Sequence, residues 1–491
     1  MSLIRVSDLT FHYEGSYENI FEHASFSIDT DWKLGFVGRN GRGKTTLLKL
    51  LTGQYAYEGT ISASVPFDYF PFPVADPSLT AEAVLACAAD SPRWRLEKEL
   101  NLLKVAPDAL CRPFSTLSPG EQTKVLLAAL FSRPGHFLLI DEPTNHLDME
   151  ARALVSRYLN GKQGFLLVSH DRAFLDGCVD HILSINRATI EVQKGDFSSW
   201  AENRRRQDAF ELAENERLAR EIGDLRLAAR RTAAWSERVE RTKIGLGCRE
   251  GAPDRGAIGH KSAKMMKRAK AIERRRETAA KEKESLLKDL ERSDTLTVTP
   301  LWHHADILAE ARGLTVAYGE RPVCGPLDFT LRRGERVALV GRNGSGKSSV
   351  VRLLAGEPVP HTGTIRLASG LVVSYMPQDT SFLSGKLLNF ARENALDETL
   401  FFTILRKLDF PRTQFEKDMR DFSCGQKKKT LLAKTLSERA HLYVWDEPLN
   451  FVDVLSRMQI RDLLLAGNPA MLFVEHDRAF VNEVATSVIR L

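Results

Sequence analysis

Over most of this chain, apolar runs of about four residues alternate with longer stretches whose apolar positions recur every three or four residues. Leu34-Gly35-Phe36-Val37 precedes Leu47-Leu48-Lys49-Leu50-Leu51, and Val337-Ala338-Leu339-Val340 precedes Val350-Val351-Arg352-Leu353-Leu354. Such alternation predicts strand followed by helix, the pattern of a sheet covered by helices. Phe137-Leu138-Leu139-Ile140 and Leu442-Tyr443-Val444-Trp445 are apolar throughout and run into Asp-Glu, as strands buried on both faces of a parallel sheet do. The predicted fold class is α/β, and the pattern is written twice.

A different pattern separates the two copies. From Glu202 to about Arg241, and again from Lys261 to Arg292, Ala, Glu, Lys and Arg dominate and proline is absent. Leu218, Ile222, Leu225 and Ala229 recur at helical spacing, as do Met265, Ala269 and Ile272, then Leu286 and Leu290. A narrow apolar stripe on a charged helix predicts two long helices packed as an antiparallel hairpin. Each would run on the order of 45–60 Å at 1.5 Å per residue. Ile244-Gly245-Leu246-Gly247 and Gly251-Ala252-Pro253-Asp254-Arg255-Gly256 place helix breakers at its far end. The expected domains are residues 1–197, a hairpin linker at 198–300, and residues 301–491, in keeping with roughly 150 residues per domain.

Charge sharpens the picture. The chain carries a net charge of +5, yet Ala201–Arg292 holds 25 Lys/Arg against 17 Asp/Glu, so the remainder is net acidic. Arg241–Arg276 alone has 12 basic residues against 3 acidic ones. Basic charge gathered on one element reads as a nucleic-acid footprint, whereas a passive spacer needs no basic tip. The six cysteines include no C-x-x-C pair, which argues against a zinc site, an iron–sulfur cluster or a disulfide framework and fits a reducing cytoplasm. No run approaches the roughly 20 apolar residues that cross a bilayer, and the N-terminus leads straight into the strand-like Leu3-Ile4-Arg5-Val6. The chain is expected to be cytoplasmic, with no membrane domain.

The chemistry repeats with the pattern. Gly38-Arg39-Asn40-Gly41-Arg42-Gly43-Lys44-Thr45 and Gly341-Arg342-Asn343-Gly344-Ser345-Gly346-Lys347-Ser348 both fit the phosphate-binding loop G-x-x-x-x-G-K-[ST]. Lys44 and Lys347 lie 303 residues apart, Ser118 and Ser423 305, Asp141 and Asp446 305, and His170 and His476 306. Glycines there let backbone N–H groups face phosphates at a helix N-terminus, with Thr46 and Ser349 next along that helix. Lys44 and Lys347 would reach the β- and γ-phosphates, Thr45 and Ser348 would bind Mg²⁺, and Asp141 and Asp446 would support it. Glu142 and Glu447 are placed to polarise an attacking water.

The resemblance can now be named. Ser118-Pro119-Gly120-Glu121-Gln122 and Ser423-Cys424-Gly425-Gln426 resemble the signature loop of ATP-binding-cassette ATPases. By the same resemblance Tyr13 and Tyr318 stack on adenine, Leu147-Asp148 and Val452-Asp453 are D-loops, and His170 and His476 are switch histidines. It implies that two cassettes sandwich two ATP molecules, each between one Walker loop and the other cassette's signature serine and glycine (Ser423 and Gly425, or Ser118 and Gly120). The family's Mg²⁺-contacting glutamine is matched by Gln378, but the equivalent position in the first repeat is Phe72. Unequal sites are expected.

Twin cassettes joined by a charged helical linker resemble the ABC-F proteins. Asp254-Arg255-Gly256-Ala257-Ile258-Gly259-His260-Lys261, with Lys264-Met265-Met266-Lys267-Arg268, is similar to the linker of antibiotic-resistance ABC-F proteins of the Lsa type. That resemblance implies binding at the exit site of the 70S ribosome, against 23S rRNA and P-site tRNA. Lincosamides, pleuromutilins and streptogramin A would then be displaced from the peptidyl-transferase centre. Leu246, Arg249, Arg255, Ile258, Lys261, Lys264, Lys267, Arg268 and Lys270 are the candidate contacts, since Lys and Arg neutralise phosphates and an apolar tip suits an rRNA pocket. Met265 reads as a helix–helix seam.

The rival within the superfamily is a housekeeping translation factor without drug protection. The arm that some such factors insert is lacking, because Phe72 to Ser118 spans 46 residues and Gln378 to Ser423 spans 45. An importer ATPase subunit would not need a long basic hairpin, and in a chromosome ATPase the coiled coil would interrupt a cassette. The chain also ends soon after His476, so no C-terminal extension is expected to act as a second rRNA anchor. The expected protein is a monomer with intramolecular cassette pairing, ATP and Mg²⁺ as cofactors, and no DNA partner.

Overall fold

The computed structural model describes residues 2–14, 19–88, 91–145, 147–185, 190–244, 267, 271–272, 275, 278, 298–319 and 321–491. Met1–Trp200 and Ser293–Leu491 together form one compact unit, and Ala201–Arg292 forms another.

In the first repeat the central sheet runs in the order Phe67–Phe70, Phe137–Asp141, Phe165–Val168, Lys33–Val37, His181–Ile185, Ile190–Lys194, parallel except for the last strand. In the second the order is Val373–Met376, Leu442–Asp446, Met471–Val474, Arg336–Val340, Ser487–Arg490, all parallel. Each repeat adds an antiparallel sheet. Leu3–Phe11 lies between Phe21–Asp29 and Glu58–Ser62, and Ile307–Tyr318 lies between Arg321–Arg332 and His361–Leu367.

The apolar runs become central strands because both of their faces are covered. Leu442 and Val444 face Leu339, Val350 and Leu354 on one side. Tyr443 and Trp445 turn the other way, into a cluster with Phe401, Leu405, Leu432 and Phe473. A large apolar side chain buried in this way contributes about 1.5–3 kcal/mol. A polar residue at any of these positions would lose its water without gaining a partner.

Local chemistry sets the helix starts that matter for the site. Lys44–Leu51 and Lys347–Leu354 begin after Gly43 and Gly346, both at φ 89°, where no side chain caps the first turn. Their leading N–H groups are therefore left for a ligand. The helices Pro119–Ser132 and Cys424–Ser437 start instead with full capping boxes, Ser118 with Glu121 and Ser423 with Gln426.

The helix Phe197–Ile244 begins five residues before the predicted start, because Phe197 and Trp200 are buried apolar residues ahead of the charged stretch. Its exposed face carries ion pairs one turn apart, such as Arg204–Asp208 at 3.0 Å and Arg217–Glu221 at 3.0 Å. Ile222, on the predicted stripe, is 5% exposed. Lys267, Ala271, Ile272, Arg275 and Thr278 are helical, and Lys267 is exposed. The predicted tip and the rest of the second linker helix lie outside the described residues. Among the proposed contacts that applies to Leu246, Arg249, Arg255, Ile258, Lys261, Lys264, Arg268 and Lys270. Among the described residues, no helix is long and apolar enough to cross a membrane.

Candidate nucleotide sites between the repeats

The first site is built on the loop between Lys33–Val37 and Lys44–Leu51. Lys44 is buried and its Nζ donates to the carbonyl oxygens of Gly38 at 2.7 Å and Arg39 at 3.1 Å. Burial lowers the Lys44 pKa, opposed chiefly by Asp453. A desolvated ammonium on weak carbonyl acceptors is a poised partner for a phosphate. Thr45 Oγ1 donates to Asp141 Oδ2 at 2.9 Å.

Glu142, one residue past the strand end, has a left-handed backbone at φ 52°, and Glu447 repeats this at φ 48°. Non-glycine residues seldom adopt that conformation, and it concentrates at functional positions. It turns the glutamate out of the sheet toward His170, whose Nε2 lies 2.8 Å from Glu142 Oε1. Burial acts to raise the Glu142 carboxyl, but the charge and hydrogen bond of His170, with Lys44 and Arg457, hold it below its ordinary value. An ionised carboxylate there can accept a proton from water.

The far wall comes from the second repeat. Ser423, Cys424, Gly425, Gln426, Lys429 and Phe451 face Asn40, Gly41, Gly43, Lys44, Thr45 and Thr46 across a cavity of about 540 Å³. Asn40 Nδ2 donates to the Phe451 carbonyl at 2.8 Å, so this predicted nucleotide ligand spans the two repeats. Gly425 lies so close beneath that a Cβ would fall 2.6 Å from the Phe451 oxygen and 3.0 Å from Asn40 Nδ2. Arg42 and Arg39 also reach Asp409, at 3.5 and 3.9 Å. Tyr13 lines the cavity, 41% exposed, with its hydroxyl 2.8 Å from Thr46 Oγ1.

The second site has the same plan with different partners. Lys347 Nζ donates to the Gly341 and Arg342 carbonyls at 2.9 and 2.7 Å. Glu447 accepts from Gln378 Nε2 at 2.8 Å and lies 3.3 Å from His476 Nε2. Asn343, Gly344, Gly346, Lys347, Ser348, Ser349, Gln378, Glu447 and His476 line a cavity of about 370 Å³, to which the first repeat contributes Pro119, Leu147 and Arg152. Ser118 and Gly120, expected to flank this nucleotide, are not among the lining residues; Pro119 between them is. Ser118 Oγ is already committed to Glu121 Oε2 at 2.8 Å, in a carboxylate also held by Arg112 at 2.9 Å. Tyr318 rests on Ser349, 3.1 Å from its Oγ, and does not line the cavity.

Both sites offer hard oxygen donors suited to Mg²⁺. Asp446 Oδ1 is buried without a hydrogen-bond partner, and burial pushes its carboxyl up to about 6. A divalent cation beside Ser348 is what such an atom needs. Phe72 lines a separate cavity of about 480 Å³ with Tyr69, Pro73 and Leu79, away from the nucleotide cavity.

Sequence reasoning missed the ion pairs around the sites. Arg152–Asp171 at 2.9 Å and Arg457–Asp477 at 3.0 Å are buried counterparts in the two repeats, each joining the helix Met149–Asn160 or Val454–Gly467 to the residue after His170 or His476. The repeat offset would have flagged them, since all four residues recur in register. Lys429–Asp453, at 2.9 Å and almost fully buried, has register counterparts in Lys124 and Asp148, yet among the described residues only the second repeat forms the pair, so here the repeat offset alone would mislead.

With the geometry in place, comparison with known proteins is informative. The family model described as "ABC transporter" matches residues 21–145 and 324–450. The chain is 30% identical to the ATP-binding protein Uup of Caulobacter vibrioides, covering 96% of this chain and 74% of that protein. It is 27% identical to the ribosome protection protein VmlR of Bacillus subtilis, covering 97% and 84%. The archaeal ribosome recycling factor aABCE1, solved in complex with the ribosomal stalk protein aP1, aligns with a TM-score of 0.65 at 20% identity over 98% of this chain and 87% of the matched chain, a likeness of fold.

Proposed function

The chain belongs to the ATP-binding-cassette family, in its ABC-F branch, and is an ATPase; from that premise we propose that it is a ribosome-protection factor that displaces antibiotics. ATP would be held between the repeats, with Lys44 and Lys347 on its phosphates and Ser423 and Gly425 closing over the first nucleotide. Bound Mg²⁺ supplies Lewis-acid neutralisation of phosphate charge. Thr45 with Asp141, and Ser348 with Asp446 and Gln378, would hold it. Glu142 and Glu447 would each take a proton from the attacking water, oriented by His170 and His476.

For the ATP sites the carrying observation is the wall shared between repeats, in which Asn40 meets Phe451 over Gly425. A nucleotide bound there would stabilise the closed arrangement, and its hydrolysis would remove that support.

The ribosomal reading is supported by the similarity to VmlR over nearly the whole chain and by the 12 basic residues of Arg241–Arg276. Those charges would meet rRNA or tRNA phosphates, with the hairpin tip acting near the peptidyl-transferase centre in the cytoplasm. The test is expression in a drug-susceptible bacterium, with inhibitory concentrations measured for a lincosamide, a pleuromutilin and a streptogramin A. Raised concentrations for any of the three support drug displacement. Unchanged concentrations together with ATP-dependent ribosome binding would assign a translation factor instead.

A further inference from the structure

The two Walker aspartates are held differently, and the difference falls where the glutamine has been lost. Asp141 Oδ2 accepts two hydroxyls, Thr45 Oγ1 at 2.9 Å and Tyr69 Oη at 3.0 Å. Tyr69 comes from Phe67–Phe70, paired in parallel with Phe137–Asp141 so that Tyr69 lies opposite Leu139 and its ring reaches one step further to the strand end. Its counterpart Tyr375, on Val373–Met376, makes no hydrogen bond to Asp446, whose Oδ1 lacks any partner. In that repeat the polar contact comes from Gln378, which donates to Glu447. In the first repeat Phe72 stands in that place and points into the neighbouring cavity beside Tyr69.

We propose that Tyr69 is a positioning residue for the metal-holding carboxylate of the first site, acting where the second site relies on Gln378. The inference rests on the reading that Asp141 helps hold Mg²⁺. A threonine hydroxyl can coordinate a cation through an oxygen lone pair while its hydrogen stays on the carboxylate, and Tyr69 supplies a second donor on the same Oδ2 that, unlike Thr45, carries no load from the cation and fixes the carboxylate's rotation. A phenol suits this role because its O–H sits at the end of a stiff ring, which brings the donor to Asp141 from the neighbouring strand. Ordering a ligand through its outer hydrogen bond is a general means of tuning a metal site. The hydroxyl also ties the nucleotide site to the Phe72 cavity through one side chain.

The test uses the full chain carrying Lys347→Ala, which leaves nucleotide binding to the first site, and a fluorescent ATP analogue titrated with Mg²⁺. Tyr69→Phe is expected to raise the Mg²⁺ concentration for half-maximal binding on the order of 10-fold. Binding in EDTA should stay within about twofold, because the ring remains in place. Tyr375→Phe in a Lys44→Ala chain should leave the Mg²⁺ dependence of the second site unchanged. An unaltered Mg²⁺ midpoint in Tyr69→Phe overturns the proposal. So does an equal loss with and without metal, which would mean that Tyr69 only packs. Asp141→Asn separates the underlying reading: if it leaves the Mg²⁺ midpoint in place, the assignment of Asp141 fails, whatever Tyr69 does.

Discussion

At the residue scale, Glu142 and Glu447 show how backbone and side chain act together. Each adopts a left-handed conformation that the surrounding structure must hold, and each thereby meets a histidine, His170 or His476. Replacing both with Gln keeps their shape but removes the base, so hydrolysis should fall by at least about 100-fold while ATP binding persists. Steady-state phosphate release and equilibrium nucleotide binding would check this; turnover at the parent rate would refute the assignment. Single replacements should be unequal, with Glu447→Gln costing more, because Glu447 has the Gln378 contact and the first repeat has Phe72. Gly425 gives a sharper test of the shared wall. A methyl there would meet a backbone oxygen at 2.6 Å, which cannot swing aside as a side chain can. Gly425→Ala should lower ATPase activity roughly 10-fold or more without moving the thermal unfolding midpoint, since neither core is touched.

At the scale of elements, the helix Cys424–Ser437 carries Lys429 inward to Asp453, which caps the helix Val454–Gly467. Burial opposes ionisation of Asp453, yet Lys429 and then Lys44 hold its carboxyl far below the usual range. The sign follows from that depression. The pair stabilises the fold fully above about pH 4, the unfolded carboxylate value, and the contribution is lost as the pH falls further. Lys429→Met should cost about 3–5 kcal/mol at neutral pH, because it leaves a buried carboxylate without its cation. Urea unfolding of the variant beside the parent would show it. A loss below about 1 kcal/mol, the level of an exposed pair, would mean that water reaches Asp453.

At the scale of the whole molecule, the proposal assigns ATP chemistry to the repeats and the effect on the ribosome to the linker. Deleting Leu246–Gly256 should therefore abolish drug protection while leaving basal ATPase largely unchanged, since domains with their own cores do not depend on a segment outside them. Reversing charge at Lys264, Lys267, Arg268 and Lys270 should weaken ribosome co-sedimentation and flatten its salt dependence, because fewer counterions are released. A passive spacer would leave both measurements unmoved. Full protection from the tip-deleted chain would overturn the linker as effector.

Much of this was legible in the amino-acid order, and the reasons are local. Strand or helix follows from the period of apolar positions, which is why the runs at Phe137–Ile140 and Leu442–Trp445 could be placed without a structure. A phosphate loop needs its glycines and lysine contiguous, so both Walker loops were readable, and repetition at a fixed offset turned weak motifs into a constellation. The start of the long helix was not, because Phe197 and Trp200 belong to the buried unit and carry no sign of the charged helix that follows. Nor could the sequence show which residues of the two signature-like loops line a cavity. Gly425 lies under Asn40, whereas Ser118 is drawn into its capping carboxylate, and the two loops look alike as strings. Tyr69 on Asp141, Lys429 on Asp453 and Arg42 on Asp409 likewise join residues from 24 to 367 positions apart. Such pairings depend on how sheets and repeats pack in three dimensions, and side chains within hydrogen-bond reach leave no periodic trace along the chain.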